Sequence, residues 1–362
     1  MSKEAEIETV VIGAGVVGCA IASRLARRGA SVWVLERAKS EATGITSRNS
    51  GVIHSGLYYP PESRMARTCT RGQNLLYAWA KTAGVAHARV GKLVIARTSG
   101  ALAQLDALYQ NARACGARDL ALFSGPQIHQ QEPALAPVRA GLWCPHSGIV
   151  DAHGLTRSLR IDAERHGAEV LFQTNVTAIE PAARWFRLQT SRGPLRAARV
   201  INAAGLCADT IARMVGYHAY TIYPCRGDYF RLGGPRLQHL IYPVRDAQDP
   251  GLGVHVTLDL AGHIRMGPDA EYVTSRTDFR PAPDKLEAFR AATQRLLGPG
   301  VAFSLHYDSC GIRPKLRGPE APGFHDFVLA QSPPGMHHLL GIESPGLTAA
   351  LALAEEVEAS LD

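Results

Sequence analysis

The chain has no CxxC pair, no HExxH helix, no block of basic residues and no apolar run long enough to cross a bilayer. Each absence excludes something. The seven cysteines, Cys19, Cys69, Cys115, Cys144, Cys207, Cys225 and Cys310, are odd in number and far apart. Such a set speaks for reduced thiols in a cytosolic protein and against a disulfide framework or a zinc ribbon. The neighbours His337 and His338 point to opposite faces of a regular strand, so they cannot share an ion, and no metal is expected. Lys and Arg total 39 against 32 Asp and Glu, a net charge of +7 that is scattered along the sequence. With no basic stripe and no aromatic RNA-binding signature, this charge favours small anions over nucleic acid.

The apolar stretch Val10 to Ala22 carries three glycines and is too short to span a membrane. Its Val16-Val17-Gly18-Cys19 looks like a lipoprotein cleavage box. The preceding MSKEAEIE holds three glutamates and one lysine, however, whereas an export leader begins with positive charge. The expectation is a cytoplasmic protein without a transmembrane segment, membrane association being the alternative.

Hydrophobic residues make up 46% of the 362 and charged residues 20%, enough for a sizeable core, and the length suggests two domains. The 35 glycines follow no repeat, which places them in turns and close backbone approaches. The clearest use of them is near the start. Thr9 to Ile12 reads as a strand, Gly13-Ala14-Gly15-Val16-Val17-Gly18 follows, and Val17, Ala20, Ile21 and Leu25 keep helical spacing up to Gly29. Ser31 to Leu35 is the next strand, with Glu36 at its end, 18 residues after Gly18. This is the order of a dinucleotide-binding βαβ unit. Gly13 permits the tight turn, Gly15 lets backbone N–H groups approach a pyrophosphate, and Gly18 lets the helix lie on the strand. The helix N-terminus favours the phosphates, and Glu36 suits ribose hydroxyls while repelling a 2′-phosphate.

Later segments decide between FAD and NAD. Ser47 to Tyr59 is small and polar where a plain NAD domain has an apolar crossover helix, and Val200 to Gly205 reads as a strand ending in small residues. His338 to Ile342 reads as a strand, and Ser344-Pro345-Gly346-Leu347-Thr348 opens a helix to about Leu361, with Ser344 as N-cap and Pro345 at the first helical position. These separated segments resemble the glutathione-reductase-type FAD fold of the D-amino-acid-oxidase superfamily. SRNSGVIHSGLYY, YPCRGDYFRL, HLIYPV, GLGVHVT, GIRPKL and HLLGIESPGLTA look like its L-2-hydroxyglutarate dehydrogenase branch. The resemblance covers nearly the whole chain, although the segment between Tyr272 and Ser309 is shorter than in longer members.

The fold so implied is α/β: an FAD-binding Rossmann domain (residues 1–86, 145–215 and 308–362) interleaved with an α+β substrate domain (87–144 and 216–307) on a mainly antiparallel sheet. In the substrate domain, Gly91 to Arg97 reads as a strand, Ala101 to Ala114 as a helix, and Gly253 to Met266 as a hairpin turning at Ala261-Gly262. The cofactor shell implied comprises Gly13, Ala14, Gly15, Val16, Val17, Gly18, Glu36, Arg37, Ser47, Arg48, Asn49, Ser50, Gly51, Val176, Ala204, Gly205, Gly311, Ser344, Pro345, Gly346, Leu347 and Thr348. FAD is expected to be bound without a covalent link, with Cys225 and Cys310 as small buried residues.

The implied reaction is oxidation of a small 2-hydroxy acid to its 2-oxo acid with hydride passing to flavin N5. A glycerol-3-phosphate dehydrogenase, an amino-acid oxidase and a non-catalytic flavin protein are the alternatives. Such a reaction needs a cation for the substrate carboxylate and a base for its hydroxyl. Arg313 in GIRPK is the leading carboxylate ligand, with Arg226 and Lys315 behind it. His255 and His54 are the candidate bases, because imidazole accepts a proton near neutral pH. Val254, Val256, Leu258 and Leu260 would form an apolar strand face, leaving His255 and Thr257 on the other. Tyr58 and Tyr59 would wall the site. Oxygen, a quinone or an electron-transfer protein could take up the electrons.

Overall fold

The computed structural model describes residues 6–244, 253–298, 300–321 and 323–361. The strand Glu6–Ile12 lies at the centre of an eight-stranded sheet, flanked in parallel by Val32–Leu35 and by Gly193–Asn202. Both of its faces are covered, so its last four residues are all buried, as a central parallel strand requires. Glu169–Leu171 extends the parallel part beyond Val32–Leu35, and Met336–Leu340 extends it beyond Gly193–Asn202. The amino-terminal half of the long strand Gly193–Asn202 pairs instead with Phe186–Thr190 in an antiparallel meander completed by Val176–Pro181. The helices Val16–Ala26, Arg64–Ala83, Ala152–Arg165 and Gly346–Ala359 pack together and supply Ala20, Leu76, Leu159 and Ala350 to one core.

The second sheet has nine strands. Its neighbours are antiparallel except for the parallel pair Leu240–Pro243 and Lys92–Ala96. The helices Ser99–Ala114 and Leu286–Leu297 cover it through Leu105, Ala112, Phe289 and Leu296. The fold is therefore the α/β arrangement expected from the order of segments, a mixed sheet with a parallel centre beside a second, mainly antiparallel one. The strand Ser304–Lys315 runs unbroken through residue 308 and pairs along its whole length with Tyr223–Gly233. It delivers residues 311–315 from the second sheet to the boundary with the first.

Local differences from the sequence pattern have local causes. The hairpin forms between Val256–Leu258 and Ile264–Met266, with Gly262 in the left-handed region at φ 81°. Leu260 is not on the apolar face but 43% exposed, because the strand stops at Leu258. There the Asp259 carboxylate accepts N–H groups from Ala261 and His263 and closes the turn. The carboxyl-terminal strand begins two residues earlier than its apolar run suggested, at Met336. All seven cysteines are unpaired, and Cys225 and Cys310 are buried.

Candidate active site

A cavity of about 1400 Å³ runs from the first helix to the second sheet. At its first end, a Cβ on Gly13 (φ 107°) would stand 2.7 Å from the Ala203 carbonyl oxygen, and one on Gly18 would overlap the Gly13 carbonyl at 2.0 Å. Both positions must be glycine for helix Val16–Ala26 to lie on its strand. Gly15, Val16 and Val17 line the cavity beside the helix N-terminus, whose Val16 N–H donates to Thr46 Oγ1 (3.1 Å). Glu36 also lines it. One carboxylate oxygen accepts the Ala14 N–H and the other the Ala38 N–H, both at 2.8 Å, which leaves lone pairs on both for ribose hydroxyls. Ala204 and Gly205 form the facing wall, with Arg37 at the rim of this end.

The loop from Arg48 to Ser50 lines the middle and is held from within. Asn49 donates through Nδ2 to the Thr46 carbonyl and accepts the Gly51 N–H, each at 2.7 Å. The Arg48 guanidinium lies 3.9 Å from the Phe279 ring centroid. Gly311 lines the cavity where a Cβ would meet the Arg48 carbonyl oxygen at 2.1 Å.

His54, Tyr58, Tyr242, His255, Arg313 and Lys315 line the far end together with Ser344 to Leu347, His54 reaching Ser344 directly. His255 is 4% exposed and stacks on Tyr242 with ring centroids 3.8 Å apart. Its Nδ1 is 2.7 Å from the Gly253 carbonyl oxygen. A carbonyl only accepts, so Nδ1 carries the proton and Nε2 keeps its lone pair. Burial pushes the His255 pKa down to about 3, with the positive charges of Lys92 and Arg313 acting in the same direction. His54 is likewise held below the usual imidazole range by burial, then by Lys92 and His255. Both rings are neutral at neutral pH.

Arg313 enters this end with its Nη2 donating to the Asp269 carbonyl (3.0 Å) and, among the described residues, with no carboxylate in ion-pair contact. Lys315, two residues on and therefore on the same strand face, is paired with Glu343 at 3.0 Å. Arg226 is not brought to the cavity. Cys225 lies opposite Arg313 in the register, so by alternation Arg226 projects from the other face. There it forms a buried pair with Asp228 (2.6 Å) and donates to the carbonyls of Asp278 and Arg280. It is therefore placed to hold the second sheet together, contrary to the expectation that it binds substrate.

Six of the expected cofactor residues stay behind the wall. Ala14 and Gly18 pack beneath it, the Ser47 hydroxyl donates to the Gly44 carbonyl, and Gly51 (φ 67°) makes the loop turn. Val176 is buried in the antiparallel meander, and Thr348 accepts the His54 peptide N–H at 3.0 Å. Pro345, not Ser344, is the N-cap of helix Gly346–Ala359, and the Ser344 hydroxyl instead lies 3.2 Å from His54 Nε2. A residue that sequence inspection passed over, Lys92, sits fully buried behind His54 and Tyr242. Its place at the head of an apolar strand run is the usual one for a lysine reaching solvent, and no signal in the sequence marks it otherwise. Among the described residues no group of three His, Cys, Asp or Glu side chains is placed to hold a metal ion, and no helix is long and apolar enough to cross a membrane.

The residues fit an FAD. The glycine cradle leaves no room for a Cβ, Glu36 stands ready for a ribose, and the Tyr58 hydroxyl is buried in the wall of the far end without a partner among the described residues. A dinucleotide would be held by these residues along the cavity, and its redox chemistry would be supplied to the end where the second sheet and the carboxyl-terminal helix meet, the arrangement of an oxidoreductase with a resident cofactor.

The family model of FAD-dependent oxidoreductases matches residues 8–359, and the chain belongs to that family; FAD is its cofactor. Among curated proteins it is 34% identical over 409 residues to the mitochondrial L-2-hydroxyglutarate dehydrogenase of Arabidopsis thaliana, covering 99% of this chain and 83% of that protein. It is 35% identical to the Homo sapiens protein of the same name, over 77% of this chain and 64% of that one. In fold it is similar to the FAD-bound L-α-glycerophosphate oxidase of Mycoplasma pneumoniae, with a TM-score of 0.86 over 98% of this chain and 94% of that chain at 24% identity.

Proposed function

We propose that the protein oxidises a small 2-hydroxy acid, of the kind of L-2-hydroxyglutarate, to the 2-oxo acid. The observation that carries this reading is the convergence on one cavity of an Arg313 guanidinium, which makes no ion pair among the described residues, and a neutral His255 whose Nε2 lone pair is fixed by the Gly253 carbonyl. The names of the curated relatives support it. Bound FAD supplies the hydride acceptor, its N5, with negative charge developing on the pyrimidine side.

The chain's own residues do the rest. Arg313 takes the substrate carboxylate, for which a planar, permanently charged fork is suited. Carboxylate binding neutralises one of the two cations that depress the His255 pKa, so the imidazole becomes a better base as substrate enters. His255 Nε2 then takes the hydroxyl proton as the α-carbon gives up hydride. The proton ends on imidazole, and two electrons leave the carbon. The N-terminus of helix Gly346–Ala359 offers partial positive charge to the redox end of the cavity. Burial of the site excludes water, which strengthens each of these interactions.

The test is anaerobic mixing of the yellow protein with L-2-hydroxyglutarate, an amino acid and glycerol 3-phosphate in turn. Rapid bleaching of the flavin by the hydroxy acid alone is expected. Bleaching by either of the others points to the rival activities, and a flavin inert to all three points to a non-catalytic flavin protein. Reoxidation of the bleached enzyme by air, by a soluble quinone or by an electron-transfer flavoprotein identifies the acceptor.

A further inference from the structure

Lys92 begins the strand Lys92–Ala96 in the interior of the nine-stranded sheet and is 0% exposed. Its ammonium lies 3.5 Å from His54 Nδ1 and 4.1 Å from the Tyr242 ring centroid, with the Tyr58 ring at 5.8 Å. Among the described residues no carboxylate is in ion-pair contact with it. It does not line the cavity; His54 and Tyr242 stand between. An ammonium buried without a counter-charge is costly, and a methionine of similar length would pack there at no electrostatic penalty. Packing therefore does not account for the lysine, whereas its contact with His54 does.

We propose that Lys92 is a positioning residue for the oxidation: its ammonium donates to His54 Nδ1 and so holds the imidazole in the Nε2–H form, a hydrogen-bond donor to the site rather than its base. The proposal rests on the hydroxy-acid reading and deepens it by dividing the two histidines. The His255 ring has Nδ1 occupied by a carbonyl and presents a lone pair. The His54 ring has Nδ1 occupied by an ammonium and presents a proton, directed at the Ser344 hydroxyl at the mouth of the carboxyl-terminal helix. One imidazole accepts and the other donates.

The arrangement is sensitive to pH. Burial lowers the Lys92 pKa to about 8, against a smaller upward effect of the Cys144 and Cys69 thiols. The other titratable groups facing the pair are Tyr58, Tyr242, His255 and, beyond His255, Arg313. Below pH 8 the ammonium donates and His54 is an Nε2–H donor. Above it the neutral amine has a lone pair beside its N–H groups, so Nδ1 is free to take the proton and the Nε2–H donor toward the site is no longer enforced.

Two measurements on the FAD-loaded full chain decide the matter. The first is ¹⁵N-histidine NMR, with His54 assigned by its loss in His54→Gln. At pH 7 the wild type is expected to show Nε2 protonated and Nδ1 unprotonated, and Lys92→Met to lose that preference. An Nδ1–H form in the wild type, or an unchanged tautomer in Lys92→Met, overturns the proposal, and this readout holds even if L-2-hydroxyglutarate proves not to be the substrate. The second is anaerobic flavin reduction by L-2-hydroxyglutarate. Lys92→Met should slow the limiting rate about tenfold or more at pH 7 and abolish its change near pH 8. The penalty should vanish in the His54→Gln background, whose side-chain amide keeps a donor where Nε2–H stood. An equal penalty in both backgrounds means that Lys92 does not act through His54 and rejects the proposal. A wild type that L-2-hydroxyglutarate fails to reduce rejects the hydroxy-acid reading instead.

Discussion

Gly227 and Arg313 meet across two antiparallel strands so closely that a Cβ on residue 227 would stand 2.7 Å from the Arg313 guanidinium nitrogen Nη2. The same Cβ would lie 2.8 Å from the Pro268 Cβ and 2.9 Å from the Asp269 carbonyl oxygen, the acceptor of the Arg313 hydrogen bond. The bare backbone at 227 is thus what lets the arginine cross the sheet to the cavity. Gly227→Ala is expected to displace the guanidinium, raising KM for a hydroxy acid about tenfold or more while the flavin spectrum stays that of bound FAD. Steady-state kinetics with a parallel absorbance spectrum checks this. An unchanged KM would mean that Arg313 does not hold substrate.

The arginine itself gives a sharper test. Arg313→Ala should retain yellow flavin and lose roughly 2–4 kcal/mol in kcat/KM, the range for removing one partner of a buried charged pair. Arg313→Lys restores the charge but not the planar fork, and should recover only part of that loss. Equal activity in all three proteins would remove the residue from the site.

The cofactor end of the cavity is legible in the chain itself. Gly13, Gly18 and Glu36 announce themselves because the contacts that constrain them are a few residues away or at a fixed offset along a βαβ unit. Arg313, His54 and His255 were legible as chemical types at recognisable motifs. Arg226 looks equally suitable in sequence, and only the register that places Cys225 opposite Arg313 shows which way it points. Lys92 is illegible in the sequence for the same reason. Its burial is created by strands 240–243 and 140–144 closing on either side, and no residue near it in sequence reports on that. Leu260 leaves the apolar face because a turn closed by Asp259 ends the alternation two residues early.

Buried neutral histidines make the protein sensitive to acid. His255 has a folded pKa of about 3 against 6.5 when free, and His54 is shifted in the same direction. Between those values the unfolded chain binds protons that the folded chain does not. Stability contributed by the neutral form is therefore complete above about pH 6.5 and is lost as pH falls toward 3. Urea unfolding at a series of pH values should show a midpoint that falls over this window. In His255→Gln, which stays neutral in both states, the fall should be shallower than in the wild type. Parallel curves for the two proteins would mean that His255 titrates normally in the folded state.

Glu36 separates the cofactor end from the chemistry. Both of its oxygens accept backbone N–H groups at 2.8 Å, from Ala14 inside the glycine turn and Ala38 beyond the strand, and a carboxylate can do this while still accepting from a ribose. An amide has only one accepting oxygen. In Glu36→Gln one N–H must lose its partner or meet a donor, and the negative charge that a ribose hydroxyl would bond to is gone. Charge-assisted hydrogen bonds of this kind contribute about 1.5–3 kcal/mol each. The variant is expected to bind FAD roughly ten- to a hundredfold more weakly by fluorescence titration of the apoprotein, while the fraction that is loaded keeps the wild-type rate of flavin reduction, because the far end of the cavity is untouched. A loss of rate in the loaded fraction, with affinity preserved, would place Glu36 at the wrong end of the molecule.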